Sequence, residues 1–526
     1  MHTESLDVLI VGAGISGLGL CYSLKNKRPN DKIAVIEARD NYGGTWDLFK
    51  YPGIRSDSDM YTFAYSFKPW KERDYIGSAE NIRKYLDELV DDEGLEPFIR
   101  LQQKVIDANW DSARNHWDVT VKRGDGTEYL IEAKFFACCA GYYRYDKGYL
   151  PSFEGYENFK GEIALPQSWP EDLDYSNKQV LVIGSGATAV TVVPAMAESA
   201  AKVTMLQRSP TYIFSRPSSD WLYRILSKIL PDKLTNSIMR FKYATLQQAM
   251  FVLSKQFPNV VKGLLRFANK RALDGAADVD VHFNPSYAPW DQRMCLVPNN
   301  DLFDSIKSGK TEVVTDHIKQ FTESGVELES GKTIDADIVV PATGLELQLW
   351  GSINLTVDGL PVQGVSLTNY KGMMFSQLPN FIWVFGYTNA SWTLKAELTY
   401  NYIVKLLDYM EKHNHQSVYP YRNPDAEQET IVALKSGYIM RALHFLPSQG
   451  SQFPWCNKDL YYKDLFAIRY SKLNDGVLRF DDNSELKPFH QKANSEFSSE
   501  KISQENDEKI VETALSWLES KCLTNK

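Results

Sequence analysis

Two glycine-rich runs carry the clearest chemistry in this sequence. Gly12-Ala13-Gly14-Ile15-Ser16-Gly17 follows the apolar run Leu6 to Val11, and Gly184-Ser185-Gly186-Ala187-Thr188-Ala189 follows Gln179 to Ile183. In a GxGxxG pattern the first glycine makes a tight turn and the second lets backbone N–H groups approach a pyrophosphate. The third, an alanine in the second run, packs helix against strand. Twenty positions beyond Gly17, the strand pattern Ile33 to Ile36 ends on Glu37, an acid placed to accept from a ribose hydroxyl. The second unit differs: its next strand, Val203 to Leu206, ends on Gln207-Arg208-Ser209. An arginine there pairs with a 2′-phosphate and favours NADPH over NADH. A solvated strand-end cation is the plainer reading of Arg208, and both stay open.

A third cluster lies between the two units. The run Gly43 to Asp57 crowds glycines, three aromatics, a proline and an Arg/Asp pair into one loop. Such residues make poor core, and ligand contacts concentrate on loops held by a rigid scaffold. Two further strands, Lys134 to Gly141 and Ala336 to Gly344, each end at small residues and a glycine. Each is placed to return the chain to the cofactor of its own half, with Thr343 and Gly344 close to it; two strand ends that merely need turns would look the same.

The elements that must position these residues are strand–turn–helix units, which makes the expected fold α/β with two Rossmann-like dinucleotide-binding domains. At 526 residues the chain exceeds one ordinary core, and 43% apolar with 24% charged residues is the composition of a soluble globular protein. The expected division is a first domain over 1–150 and a second over 151–336, with a helical basic insert at about 216–275. The first domain then resumes over 337–490, followed by a polar linker and a terminal helix over 491–526. The N-terminus has no leader pattern and no stretch is long and apolar enough to span a bilayer, so the expected location is the cytoplasm. Six cysteines without CxxC spacing argue against structural zinc and a redox dithiol, and a net charge of −9 argues against nucleic-acid partners. The insert runs against that charge. From Trp221 to Ala272, ten Lys or Arg stand against one acid, Asp232, with apolar residues at helical spacing. Two readings stay open: peripheral contact with an anionic membrane through 221–272, or a helical subdomain with a solvated face.

Taken together, these motifs are similar to those of class B flavoprotein monooxygenases, specifically the Baeyer–Villiger monooxygenases. The runs GGTWDLFKYPGIRSDSDMY, GSGATAVT, LQRSPTYI, PWDQR, LVPN, YKGMM and GYTNASWTLKAE most resemble the ethionamide-activating group, and the likeness extends to about residue 485. The resemblance implies FAD on the first unit, with Gly44, Thr45, Trp46, Asp57 and Tyr61 on its side, and NADPH on the second. It implies that NADPH reduces the flavin, that dioxygen adds at flavin C4a, and that the peroxide attacks a ketone to give an ester or lactone, or transfers oxygen to thioether or thioamide sulfur. Arg293 matches the family's active-site arginine, a fixed cation for developing negative charge, and Asp57 matches the acid that holds it. Without the resemblance nothing local singles out Arg293. Trp392, Lys395 and Asn389 fall on the flavin or substrate side by the same likeness, although aromatic packing explains Trp392 equally well.

Two departures qualify the likeness. In Phe159-Lys160-Gly161-Glu162-Ile163-Ala164-Leu165-Pro166-Gln167-Ser168-Trp169-Pro170, Leu165 stands where the fingerprint has a histidine, and a leucine neither hydrogen-bonds nor titrates. This leaves an alternative function open: an uncoupled FAD- and NADPH-binding oxidase that yields hydrogen peroxide. Gln292 stands where some relatives place a lysine beside the active-site arginine, so NADPH preference rests more on Arg208, with Ser209 and Thr211 as neutral donors.

Overall fold

The computed structural model describes residues 3–423, 426, 429–430 and 436–497. The strand Thr3–Val11 runs through the middle of a nine-stranded sheet. Its Val8, Leu9, Ile10 and Val11 are all buried, the continuous apolar run of a strand covered on both faces. It pairs in parallel with Ile33–Ile36 on one side and Glu128–Cys138 on the other, with Val11 level with both Ile36 and Cys138. Beyond Glu128–Cys138 the sheet turns antiparallel through His116–Arg123 and Gln103–Asp111. The alternation there is period two: Trp117, Val119 and Val121 point into a core with Trp110, Phe136 and Phe381. The sheet is completed from downstream sequence. Asn354–Val357 pairs with Gln103–Asp111, and Phe381–Trp383 pairs with the end of Glu128–Cys138.

The second sheet is entirely parallel, in the order Thr311–Thr315, Lys202–Gln207, Gln179–Ile183, Ile338–Pro341, Glu162–Ile163. Ile183 is level with Leu206 on one side and Pro341 on the other. This repeats the arrangement around Val11 in the first sheet. It also displaces the boundary expected at 336/337: Ile338–Pro341 belongs to the second sheet, because its apolar residues are buried beside Gln179–Ile183, and the return to the first sheet follows it. The insert consists of the helices Trp221–Ile229, Asp232–Gln256 and Pro258–Leu273. At the C-terminus the helix Leu486–Glu496 occupies residues expected to begin a linker, since Leu486, His490 and Ala493 are buried at helical spacing. The expected helix around Ile510 to Leu518 lies outside the described residues. Cys21, Cys138, Cys139 and Cys295 are buried free thiols and Cys456 is partly buried, while Cys522 lies outside the described residues. Among the described residues no helix is long and apolar enough to cross a membrane.

Candidate functional site

Because the strand ends of each sheet are level, the loops that leave them converge. The turn at Gly12, φ +99°, passes so close to the end of Glu128–Cys138 that a Cβ there would lie 2.7 Å from the Cys139 carbonyl oxygen. The turn at Gly184, φ +139°, meets the end of Ile338–Pro341 in the same way, with a Cβ 2.3 Å from the Ala342 oxygen. Only glycine meets both demands. The two strand–glycine ends noted in the sequence therefore sit at equivalent places, each against the glycine turn of its own sheet. Open α/β sheets bind ligands outside the carboxyl ends of their strands.

The helices that follow, Ile15–Lys27 and Ala187–Ala197, begin at Gly14 and Gly186, and neither has a side-chain cap. Some other helices are capped, with Asp59, Ser78 and Asp220 accepting from first-turn N–H groups of theirs. The two glycine-motif helices thus keep their N-terminal donors free for an anion. At Gly186 a Cβ would meet no protein atom within 4 Å, whereas at Gly17 it would lie 1.8 Å from the Gly12 oxygen. Gly186 leaves space for a ligand; Gly17 permits helix and turn to touch.

Glu37 is buried, and its carboxylate accepts the backbone N–H of Ala13 at 2.7 Å and of Arg39 at 3.0 Å. Burial holds it above the usual carboxylate range despite those two donors. At the matching strand end of the second sheet, Arg208 is exposed and makes no ion pair with any described residue. Beside it, the Ser185 hydroxyl donates to the Ser209 carbonyl at 3.1 Å and lies 2.8 Å from that of Thr211.

The loop Gly43 to Asp57 ties the halves together. Gly43 N–H donates to the Ala13 carbonyl at 2.9 Å, and a Cβ on Gly44 would lie 3.0 Å from the Gly14 Cα, so the loop lies on the first glycine turn. The Thr45 hydroxyl is 3.3 Å from that of Tyr145, and Trp46 packs edge-on to Phe63. At its far end a Cβ on Gly53 would sit 2.7 Å from the Ala195 Cβ, against the second glycine-motif helix, and Arg55 pairs with Asp301 at 2.5 Å. Tyr51, packed on the second core, has its phenol pushed up to about 12 by burial.

This loop ends at the charged centre of the site. Asp57 grips Arg293 with both carboxylate oxygens, Nη2 to Oδ1 at 2.9 Å and Nε to Oδ2 at 2.8 Å, across 236 positions of sequence. The Asp57 charge raises the guanidinium further above its already high range, fixing it as a cation. Tyr142, Tyr143 and Tyr438 face the pair; burial raises all three phenols, and Arg293 opposes the shift. The Tyr142 and Tyr143 hydroxyls lie 2.9 Å apart, and the Trp392 ring stacks parallel to Tyr142 while its Nε1–H donates to Ser16 Oγ at 2.8 Å.

All of this faces one cavity of about 1060 Å³. Its wall brings together Gly12, Gly14, Ile15, Ser16, Glu37, Gly44, Thr45, Trp46, Asp57, Gly184, Ser185, Gly186, Ala187, Thr188, Arg208, Ser209, Gln292, Arg293, Thr343, Gly344 and Trp392. Gly17 lies behind it, in its packing position. Tyr61 does not reach the cavity, and its expected place beside the cofactor is corrected: it is buried among Tyr75, Tyr223 and Tyr243, an aromatic cluster that anchors the insert. Lys395 and Asn389 also lie off the wall, Lys395 in a buried pair with Asp464 at 2.8 Å and Asn389 donating to the Asp459 carbonyl. Leu165 is half-buried outside the lining, and the neighbouring Trp169 packs on the second core. The sequence did not point to Tyr142, Tyr143, Tyr438 or Arg441, which stacks over Tyr149 at 3.4 Å. For the first two a signal existed, an aromatic pair directly after the glycine that ends a strand. Tyr438 and Arg441 carry none.

The fold and this cavity define a two-nucleotide flavoprotein architecture, and a family comparison gives it a class. The chain belongs to the flavin-binding monooxygenase-like family, whose model matches residues 6–378. Among individual relatives it is similar to the FAD-containing monooxygenase EthA of Mycobacterium tuberculosis, 46% identical over 480 residues, 91% of this chain and 98% of that one. It is also similar to the probable FAD-binding monooxygenase AlmA of Acinetobacter baylyi, 45% identical over 485 residues, 92% and 97% of the two chains. Its fold is that of an oxidized steroid monooxygenase solved with NADP, at a TM-score of 0.69 and 21% identity, covering 90% and 99% of the respective chains.

Proposed function

We propose that this chain is an NADPH- and dioxygen-dependent FAD monooxygenase that inserts one oxygen atom beside a ketone carbonyl and also oxidises thioether or thioamide sulfur. The observation that carries this reading is the Asp57–Arg293 pair, a fixed cation in the same cavity as two uncapped glycine-turn helices. The overall balance is ketone, dioxygen, NADPH and a proton going to ester, water and NADP⁺.

The donor set fits both nucleotides. Free N–H groups at the start of Ile15–Lys27 would hold the FAD pyrophosphate, Glu37 would accept from its ribose hydroxyl, and Gly43 and Gly44 leave the backbone bare beside it. The matching donors after Gly186 would hold the NADPH pyrophosphate, and Arg208 its 2′-phosphate. When bound, FAD reduced by NADPH supplies the activation of dioxygen.

The chain's own residues then position and stabilise. Arg293, locked in plane by Asp57, stabilises negative charge that develops on the substrate carbonyl oxygen, and it needs no reorganisation at that moment. Tyr142 and Trp392 form a stacked apolar wall that keeps water from the reacting atoms. The peroxide-releasing alternative would follow from Leu165, but that residue is not part of the cavity lining, which supports the coupled reading. Turnover of a simple aliphatic ketone under isotopically heavy dioxygen tests the proposal: the ester should carry one heavy oxygen atom, and an unlabelled product or none would refute it.

A further inference from the structure

Nine of the insert's ten cations fall into two populations, and the tenth, Lys262, donates to the Pro285 carbonyl at 2.6 Å. Arg240, Lys242, Lys255, Arg266 and Lys270 pair with acids from outside the segment: Glu397, Asp220, Asp291 and, for the last two, Asp280. Arg224, Lys228, Lys233 and Arg271 make no ion pair with any described residue. These free cations lie beside exposed apolar side chains.

Helix Trp221–Ile229 is apolar on two sides. Leu222, Tyr223 and Leu226 pack on Tyr61, Tyr75 and Met239, whereas Trp221, Ile225 and Ile229, one helical turn apart, are 63%, 51% and 68% exposed. Arg224 and Lys228 flank that outer stripe at neighbouring helical positions. Helix Pro258–Leu273 repeats the arrangement: Val261, Asn269 and Leu273 face inward, Val260, Leu264 and Phe267 are exposed, and Arg271 stands one turn beyond Phe267. On the long helix between them Phe241 is exposed and meets Tyr462, extending the apolar surface toward Phe466 and Tyr470. Exposed apolar side chains in such stripes mark an interaction site.

We infer that this insert seats the protein on an anionic lipid bilayer. Trp221, Ile225 and Ile229, with the Val260, Leu264 and Phe267 stripe, enter the acyl boundary, while Arg224, Lys228, Lys233 and Arg271 meet headgroup phosphates. Charge complementarity selects this occupant. A second copy docking on the same face would set Arg224, Lys228 and Lys233 against their own kind, and no described helix is long and apolar enough to cross the bilayer. An amphipathic helix with cationic flanks lies in the interface plane.

Co-sedimentation of the full-length, FAD-loaded protein with vesicles tests this. The protein should pellet with phosphatidylglycerol/phosphatidylcholine vesicles at low ionic strength, remain in solution with phosphatidylcholine alone, and be released by salt. Each cation near such a surface is worth about fivefold in partitioning, so Arg224→Gln with Lys228→Gln should weaken binding about 25-fold. Trp221→Ser, Ile225→Ser and Ile229→Ser together should abolish it with NADPH oxidation unchanged, which checks the fold. Binding that ignores lipid charge, absence of binding, or a vesicle-independent dimer lost on the same substitutions would each overturn the inference.

Discussion

Replacing Asp57 by asparagine separates the charge that holds Arg293 from the space that Asp57 fills. Both carboxylate oxygens accept from the guanidinium, at 2.9 and 2.8 Å. An asparagine of the same shape keeps one acceptor and turns an amide N–H₂ toward the other guanidinium N–H, so one charge-assisted bond is lost and one donor is left unpaired. Such a bond is worth about 1.5–3 kcal/mol. The pair is about a third exposed, 34% for Arg293 and 27% for Asp57, which calls for the low end. A loss of about 1.5–2 kcal/mol in transition-state stabilisation predicts a fall of about 10- to 30-fold in kcat/KM for ketone oxygenation. Under the proposed roles, Arg293 serves the substrate carbonyl and Arg208 the 2′-phosphate, so the KM for NADPH should stay within about twofold of its starting value. The assay is ester formation under steady state, with NADPH titrated separately. An Asp57→Asn enzyme with unchanged kcat/KM for the ketone would refute the reasoning, as would one whose only defect is NADPH binding.

Other perturbations address the remaining parts of the site. Arg208→Ala should raise the KM for NADPH about tenfold and leave that for NADH unchanged, since an exposed charge-assisted contact to phosphate sits at the low end of its range; equal effects on both would remove the 2′-phosphate assignment. Gly17→Ala forces a Cβ to 1.8 Å from the Gly12 oxygen and should destabilise the fold by about 3 kcal/mol or more, measured by thermal unfolding. Gly186→Ala meets no protein atom and should melt like the parent while losing NADPH affinity; a lowered melting temperature with normal affinity would contradict that. Asp459 is half-buried, and desolvation pushes its carboxyl up to about 6 from an ordinary 3.8, so its favourable contribution is present below 3.8 and is lost as pH rises through 6. Asp459→Asn should therefore gain stability over the parent above pH 6, by on the order of 2 kcal/mol, and show no gain below pH 3.8; a gain independent of pH would exclude burial of the charge as its cause.

Much of the scaffold is local, and that part was legible. Strand, glycine turn, helix and strand-end residue lie within about 40 positions in each unit, so Gly12 to Glu37 and Gly184 to Arg208 could be read from spacing. Non-local pairing was legible only in outline: the two strand–glycine ends could be assigned to their own halves, but not their register or the boundary between the sheets. Lys134 to Gly141 and Ala336 to Gly344 look alike in sequence, and only the register beside Ile183 places Ile338–Pro341 in the second sheet. Tyr61 adjoins the opening loop in sequence, yet its ring turns to the insert, because Tyr75, Tyr223 and Tyr243 converge on it from distant segments. A window count of the insert's charge missed Asp220, Asp280, Asp291 and Glu397, which lie outside the window and neutralise five of its ten cations. Nothing in the local sequence marked Arg293, and only a family likeness joined it to Asp57.

The coupling of reductant to product tests the central claim most directly. With a simple aliphatic ketone in air, NADPH consumed, ester formed and hydrogen peroxide released are measured in the same reaction. The Arg293-centred monooxygenase predicts ester in near-stoichiometric amount to NADPH with little peroxide. NADPH consumption matched by hydrogen peroxide alone, without ester, would contradict it and return Leu165 to the centre of the account.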